Sequence, residues 1–185
     1  GPSPQWLQDR LRAIGLRPIS ALVDMTNYVT FDLARPLHVF DADTLSGGIH
    51  VRLARAGETV AALNDKSYTL DLEVTVIADD NSALALGGVI GGESSGCTEG
   101  TTNVFIEAAL FDPLRTAATG RRYGIDSDAR YRFERGVDPA FVRDGMEVAT
   151  RLVMDLCGGE PSELIVAGAS PDWQRDITLR PSRVH

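Results

Sequence analysis

The sequence contains no long apolar run. No stretch approaches the roughly 20 consecutive apolar residues that an α-helix needs to cross a bilayer. The amino terminus also lacks the basic region, apolar region and cleavage site of an export signal. We therefore expect a soluble protein that stays in the cytoplasm and has no membrane partner.

Cysteine is almost absent. Cys97 and Cys157 are the only two cysteines, and neither belongs to a Cys-x-x-Cys pair. This pattern predicts reduced thiols, without a disulfide framework or a redox motif. His38 and His50 share no helical pattern with each other, so we expect no metal site and no bound cofactor.

Positive charge is scarce, and Lys66 is the only lysine. The formal net charge is −8 at pH 7. An acidic surface of this kind repels phosphate groups, so the chain alone is not expected to bind duplex nucleic acid tightly. If the protein handles a nucleic acid, another domain must hold most of it.

Helical patterns lie towards both ends of the 185 residues. Apolar residues at helical spacing predict a first helix from Pro4 to Ile14. A second predicted helix is capped by Ser20 and stopped by Pro36. A late helix is predicted to take Asp138 as its cap and to end at the glycines 158 and 159.

Short runs rich in β-branched residues fill the middle of the chain, at residues 49–53, 73–78 and 103–109. Residues 165–167 are a further candidate strand. Strands gathered in the middle and helices at the flanks predict an α+β fold. Its mixed or mainly antiparallel β core has a barrel-like closure as one alternative.

One strand candidate, residues 103–111, carries a single carboxylate in apolar surroundings. Alternation places Phe105 and Glu107 on one face. If both faces are covered, an unpaired Glu107 costs several kcal/mol or takes up a proton, so it needs a partner or a purpose. The alternative is an edge strand, with Glu107 in solvent or paired to an arginine.

The segment from Gly87 to Gly96 is rich in glycine, which allows a close approach of backbone to a ligand. Its spacing does not fit a dinucleotide fingerprint. Residues 92–96 do match the Gly-x-Ser-x-Gly elbow of serine hydrolases, centred on Ser94. That elbow requires a following helix and a later histidine, whereas a polar turn follows and only His185 comes later. We therefore favour a glycine-rich turn.

Two further segments contain candidate site residues. His38 lies where the second predicted helix has ended, and a lone histidine is more often structural than catalytic. Residues 124–136 are dense in charge, which indicates a surface strand or an internal salt-bridge network. In a functional interpretation, the small residues Ser127 and Ala129 form the wall of a pocket.

Six segments together resemble the editing domain of the beta subunit of bacterial phenylalanyl-tRNA synthetase. The resemblance extends from Leu11 to Gly159, and six segments in the same order are far more specific than any one of them. They are Val23-Asp-Met-Thr-Asn-Tyr-Val29, Arg35-Pro-Leu-His-Val-Phe-Asp41, Gly87-Gly-Val-Ile-Gly-Gly-Glu93, Val104-Phe-Ile-Glu-Ala-Ala109, Asp126-Ser-Asp-Ala129 and Arg132-Phe-Glu-Arg-Gly-Val-Asp138.

The resemblance implies hydrolysis of tyrosine that has been wrongly attached to the phenylalanine tRNA. Glu107 would accept the phenol hydroxyl of tyrosine. Gly91, Ser127 and Ala129 would shape the space around the aminoacyl group, although some members of the family carry threonine in place of Ser127. The residues implied to approach the amino acid and the terminal adenosine are His38, Thr26 and Asn27, with His38 as the catalytic candidate.

The resemblance also implies partners and boundaries. The partners would be the 3′ end of aminoacylated tRNA, free tyrosine, and an alpha subunit in an alpha2-beta2 heterotetramer. ATP and magnesium would belong to the synthetic site elsewhere in the full enzyme. The predicted division is a tag remnant at residues 1–3, the editing domain at residues 4–169, and a linker at residues 170–185 that begins a following domain. The alternatives are a non-catalytic module that binds a small molecule or partner and a serine hydrolase built on Ser94.

Overall fold

The computed structural model describes residues 1–169, 171–174 and 176–183. Within them the chain forms five α-helices and eight short strands, which confirms the α+β prediction. The helices are α1 (Gln5–Ala13), α2 (Ala21–Asp32), α3 (Pro113–Tyr123), α4 (Asp128–Phe133) and α5 (Val142–Cys157). The strands are β1 (His38–Asp41), β2 (His50–Leu53), β3 (Thr59–Ala62), β4 (Lys66–Thr69), β5 (Thr75–Ala78), β6 (Ala83–Leu86), β7 (Ile90–Gly91) and β8 (Val104–Glu107).

Every strand pairing in the described residues is antiparallel. The largest sheet has the order β2-β5-β6-β7, while β1 pairs with β8 and β3 pairs with β4. The largest sheet is open, with β2 and β7 as its edges. Of the sequence alternatives, the mainly antiparallel core is confirmed, whereas these strands do not close into a barrel.

Two buried apolar clusters lie on opposite faces of the central strands. Val76 and Leu86 belong to the larger cluster, whereas Ile77 and Ala85 belong to a smaller one together with Phe40 of β1. Strand alternation explains the division, because successive side chains point to opposite faces. Strand β6 is therefore apolar at every position, and β1 is held against the main sheet through Phe40.

The amino-terminal helices follow the prediction. Helix α2 begins after Ser20, whose side chain accepts a hydrogen bond from Val23 N at 3.4 Å. Asp24 is fully buried, and it accepts hydrogen bonds from Ile19 N at 2.8 Å and from the Ser3 hydroxyl. Ser3 is itself buried, whereas Gly1 and Pro2 are exposed, although Gly1 O accepts a hydrogen bond from Ala21 N at 3.0 Å. The origin of residues 1–3 as a tag remnant stays a prediction.

Two local predictions were wrong, and a third was correct in only one of its two alternatives. Helix α5 begins at Val142, because the Asp138 side chain accepts a hydrogen bond from Ala140 N instead of capping a helix. Residues 128–133 form helix α4 rather than a surface strand, although the predicted salt bridges are present between Arg130 and Glu134 and between Arg132 and Asp128. Residues 165–167 form no strand.

The carboxyl-terminal part of the described chain is largely exposed. Apart from a 3₁₀ turn at Pro181–Arg183, it contains no helix or strand after α5. Ser170, Arg175, Val184 and His185 lie outside the described residues, so the predicted linker is only partly described. Among the described residues, every helix is too short or too polar to cross a bilayer.

A buried arginine joins the two-stranded β1–β8 sheet to the helices. Arg35 is 1% exposed, and its guanidinium donates to Ala109 O at 2.9 Å and to Asp138 O. Burial lowers the pKa of Arg35 from its usual value, while the nearby Asp138 carboxylate acts in the opposite direction. Since Arg35 precedes β1 and Ala109 follows β8, this side chain holds one end of the strand pair.

The glycine-rich segment is packed too closely to accept a side chain at Gly92. A Cβ atom at this position would overlap the backbone carbonyl oxygen of Leu84 and would lie 3.2 Å from Ala61 O. We predict that Gly92→Ala lowers the free energy of unfolding by about 1–3 kcal/mol, the usual cost of overpacking. Chemical denaturation should be compared with Gly100→Ala, where the nearest atom is 3.7 Å away. Equal stabilities of the two variants would contradict the packing described here.

Candidate functional site

The β1–β8 ladder places His38 directly opposite Glu107. Residues in register on antiparallel strands present their side chains on the same face, with Cβ atoms roughly 4.5–5.5 Å apart. Phe40 and Phe105 are paired in the same register and continue this face. Two residues that the resemblance assigned to one site are thus neighbours in the structure.

The His38 imidazole is enclosed by protein. Its ring meets Phe40 edge-on, with 4.4 Å between the ring centroids. A Cβ atom added to Gly91 would lie 2.5 Å from Cε1 of His38, so only glycine fits against this ring. Burial lowers the pKa of His38 to about 4, which makes the imidazole neutral at physiological pH. Its Nε2 atom is buried and has no hydrogen-bond partner among the described residues.

The Glu107 carboxyl group lies deep in the fold but is not sealed from water. The residue keeps partial exposure, whereas desolvation by the surrounding protein raises the pKa of its carboxyl group to about 7. The edge-strand alternative is correct in part, since β8 pairs only with β1 among the described strands. The alternative of an arginine partner is wrong, because no ion pair to Glu107 occurs in the described part of the chain.

Desolvation therefore lowers the pKa of His38 and raises the pKa of Glu107, because it disfavours the charged form of each group. The neutral His38 can accept a hydrogen bond at one ring nitrogen. Glu107 is divided between its protonated and ionised forms near pH 7, so it can donate or accept a proton with little free-energy cost. This pair is suited to binding a hydroxyl group and to orienting a water molecule.

Gly91 lies in the glycine-rich segment beside this pair. Gly91 O accepts a hydrogen bond from Leu63 N at 3.1 Å, and Gly96 bridges to Phe40. The exposed Leu63 side chain also packs against Gly91. The sequence interpretation did not find Leu63, because its position depends on a contact between segments distant in sequence.

Ser127 connects helix α4 to the same glycine-rich segment. Its hydroxyl donates to Val89 O at 2.6 Å and accepts from Arg130 N at 3.1 Å, which makes it the N-terminal cap of α4. Ala129 follows in the first turn of α4 and is half-buried. The structure thus brings the segment containing Ser127 and Ala129 to the region of Gly91, as a common site requires.

Thr26 and Asn27 lie on α2, a helix that packs against β1. Both residues are half-buried. The Thr26 hydroxyl donates to Val23 O at 2.8 Å within the helix. No contact described in the structure joins either residue to His38 or Glu107, so their roles stay predictions.

The serine-hydrolase alternative lacks its structural elements. Ser94 is exposed, and residues 97–103 form a loop where a nucleophile elbow requires a helix. Ser95 is buried, and its carbonyl oxygen accepts from Asp41 N at 2.9 Å, which fixes the turn. This segment is a glycine-rich turn, as the sequence indicated.

Two cavities lie away from the His38–Glu107 pair. One of about 520 Å³ has Glu73, Asp112, Arg115 and Arg122 in its wall. The other, of about 220 Å³, is bordered by the end of α2, by α4 and by residues 136–141. No group of three or more side chains suited to bind a metal ion occurs within the described residues.

The fold and site define an α+β domain in which antiparallel strands hold a desolvated histidine–glutamate pair beside a glycine-rich turn. A family model described as the B3/4 domain matches residues 1–158. The chain belongs to the B3/4 domain family.

The resemblance to the beta subunit of phenylalanyl-tRNA synthetase is confirmed by whole-chain similarity. The phenylalanine–tRNA ligase beta subunit of Paramagnetospirillum magneticum is 67% identical over 184 residues, which are 100% of this chain and 23% of that protein. The beta subunit of Rhodospirillum rubrum is 64% identical over 185 residues, with the same coverage. The chain therefore spans about a quarter of the length of these relatives.

A solved structure is also similar over part of the chain. It is an N-terminal fragment of the phenylalanyl-tRNA synthetase beta-subunit from Pyrococcus horikoshii, with 20% identity and a TM-score of 0.40. The similarity covers 46% of this chain and 32% of that fragment. At this distance it supports no argument about the site.

The raised pKa of Glu107 predicts a pH-dependent stability. Below about pH 4.5, the usual pKa of this group, the carboxyl is protonated in both states and its stabilising contribution is fully present. That contribution is lost as the pH rises through about 7. The lowered pKa of His38 acts oppositely, with stability lost as the pH falls from 6.5 through about 4. The two effects partly cancel between pH 4.5 and 6.5.

Comparing wild type with Glu107→Gln isolates the carboxyl group. We predict that the variant gains stability relative to wild type between pH 4.5 and pH 8, by up to about 3 kcal/mol at 1.36 kcal/mol per pKa unit. Urea denaturation across this pH range measures the difference. The exposed Glu99 provides the control Glu99→Gln. A pH-independent difference between wild type and Glu107→Gln would show that the carboxyl is freely solvated.

Proposed function

We propose that this domain hydrolyses tyrosine from wrongly charged phenylalanine tRNA, as the editing module of a phenylalanyl-tRNA synthetase. The observation that supports this most directly is the pairing of His38 with Glu107 on one face of the β1–β8 ladder. The family membership and the whole-chain similarity to phenylalanine–tRNA ligase beta subunits support it further.

Glu107 supplies the specificity in this proposal. A pocket for phenylalanine cannot strongly reject tyrosine, because tyrosine only adds a hydroxyl group. A second site with a polar group that requires this hydroxyl discriminates by up to about 10⁵. Phenylalanine leaves the desolvated Glu107 carboxyl without a partner, whereas tyrosine satisfies it, so correctly charged tRNA is spared.

The reaction is hydrolysis of an ester. Water adds to the carbonyl carbon, the bond to the ribose oxygen breaks, and tyrosine and free tRNA are released with the proton passed to the ribose oxygen. His38 is neutral and its buried Nε2 has no partner in the described residues, so it is available to accept a hydrogen bond from the water. A pKa of about 4 makes it a weak base. We therefore assign it to orienting the water, while the tRNA hydroxyls assist proton transfer.

The remaining candidates shape the pocket. Gly91 lets the His38 ring pack directly against the glycine-rich segment, where any side chain would clash with the imidazole. Ser127 and Ala129 form the wall provided by α4, and Thr26 and Asn27 approach the terminal adenosine from α2. The other synthetase domains and the alpha subunit of an alpha2-beta2 heterotetramer would hold the body of the tRNA. ATP and magnesium would act at the separate synthetic site.

The decisive test is Glu107→Ala in the full-length enzyme. We predict that deacylation of tyrosyl-tRNA falls roughly ten- to a hundredfold, as expected for loss of a charged hydrogen bond realised in the transition state. Selectivity for tyrosyl-tRNA over phenylalanyl-tRNA should shrink with it. Both deacylation rates are measured after circular dichroism has verified the fold. Unchanged rates and an unchanged ratio would assign Glu107 a structural role.

Ser94→Ala separates editing from a serine-hydrolase mechanism. Because Ser94 is exposed and no helix follows it, we predict that deacylation stays within a few-fold of wild type. A loss of a hundredfold or more in the same assay would restore Ser94 as a nucleophile. Binding of tyrosine by the wild-type enzyme without any deacylation would instead support a non-catalytic binding module.

A further inference from the structure

A locally basic region interrupts the acidic surface of this chain. Residues 113–136 contain six arginines and three carboxylates, whereas the whole chain has a net charge of −8. The end of this region borders the cavity of about 220 Å³, whose wall includes Arg35, Tyr131, Arg132, Arg135 and Asp138. This volume is below the range typical of drug-sized pockets and suits a smaller group.

Two guanidinium groups at the cavity are held in place but remain able to donate. Arg132 lies over the Phe31 ring at 4.4 Å, and Arg135 lies over the Tyr131 ring at 3.7 Å. Within the described residues, the hydrogen bonds of both arginines use Nη1 alone. The Nε and Nη2 donors of each arginine are thus available, in the planar arrangement that binds phosphate oxygens bidentately.

A third positive charge lies in the cavity wall. Arg35 is buried, and its hydrogen bonds go to the carbonyl oxygens of Ala109 and Asp138 rather than to a carboxylate. Its Nε has no partner in the described part of the chain. The Asp138 carboxylate, which also lies at this cavity, accepts a hydrogen bond from Ala140 N. Asp128 and Glu134 already pair with Arg132 and Arg135, so within the described residues the cavity would attract an anion through its free guanidinium donors rather than through excess positive charge.

We propose that this cavity, with Arg132 and Arg135, binds a backbone phosphate of single-stranded RNA. Helix α4 connects it to the candidate site, since Ser127 begins the helix beside the glycine-rich segment and Arg132 lies near its end. The helix has six residues and is therefore about 9 Å long. An RNA whose terminal ribose is at the candidate site would pass this cavity within a few nucleotides. The identification of the RNA as the 3′ end of tRNA rests on the proposed function.

The test measures binding of the 185-residue chain to a short single-stranded RNA with the sequence of the tRNA 3′ end, at several salt concentrations. Each phosphate contact contributes about 0.7 to the slope of log affinity against log salt concentration. Because the proposal involves one phosphate, we expect the slope to decrease by about 0.7 in the double variant Arg132→Gln, Arg135→Gln. Arg12→Gln is the control matched to Arg135, because Arg12 is similarly exposed and paired with a nearby carboxylate, Asp9, but lies on α1.

Two further variants separate binding from folding. Arg135→Gln alone changes a largely exposed side chain and should decrease the slope by less than the double variant does. Arg132→Lys keeps the charge but loses the planar donor pair, so the slope should be retained while affinity falls several-fold. Thermal unfolding of each variant verifies that the chain is folded.

The outcomes are distinct. An unchanged slope in the folded double variant, or no RNA binding by wild type at low salt, would overturn the proposal. Inorganic phosphate is tested as a competitor, and a site that binds phosphate but not the RNA would overturn the assignment to a nucleic acid. No step of this test requires deacylation, so it fails or succeeds independently of the hydrolytic function.

Discussion

The structure depends on one buried cation. Arg35 donates to backbone carbonyls at Ala109, next to β8, and at Asp138, ahead of α5. Removing the Arg35 guanidinium would be strongly destabilising, because the two carbonyl oxygens would lose their hydrogen-bond donor and a cavity would remain in its place. The β1–β8 pair is only four residues long in each strand, and short two-stranded ladders are marginal in water. Its geometry is therefore maintained by Arg35 at one end and by the burial of Phe40 against the main sheet.

The chemistry of the candidate site follows from desolvation more than from direct pairing. The same loss of water raises the pKa of Glu107 to about 7 and lowers the pKa of His38 to about 4. Neither group is neutralised by a counter-ion in the described residues, so both retain hydrogen-bonding capacity for a ligand.

The sequence predicted the elements whose signals are local. The first two helices, the Ser20 cap and the positions of β2, β5 and β8 followed from periodicity and capping residues. The start of α5 was mispredicted, because Asp138 and Pro139 match a helix start. In the structure the Asp138 carbonyl oxygen accepts a hydrogen bond from Arg35, a tertiary contact that the local sequence does not reveal. Residues 165–167 have strand-like composition, but nothing in the described structure pairs with them.

The candidate site was only partly predictable. A lone carboxylate in an apolar strand identified Glu107, yet the pattern could not give its cross-strand neighbour, since register depends on pairing between distant segments. His38 was a candidate from the sequence, but only the resemblance assigned it to the same site as Glu107. Gly91 was found because a dense glycine segment indicates close packing, but its contact with the His38 ring required three-dimensional information.

The pairing of distant segments also affects when the site can form during folding. The Arg35–Ala109 hydrogen bond spans 74 residues, and β2 to β7 all lie within that span. Contacts of such high sequence separation are made late and at a large loop-closure cost. No local fragment of the chain contains both His38 and Glu107 in register. A nascent or partly unfolded chain thus has no assembled His38–Glu107 pair, so any activity of this pair requires the completed fold.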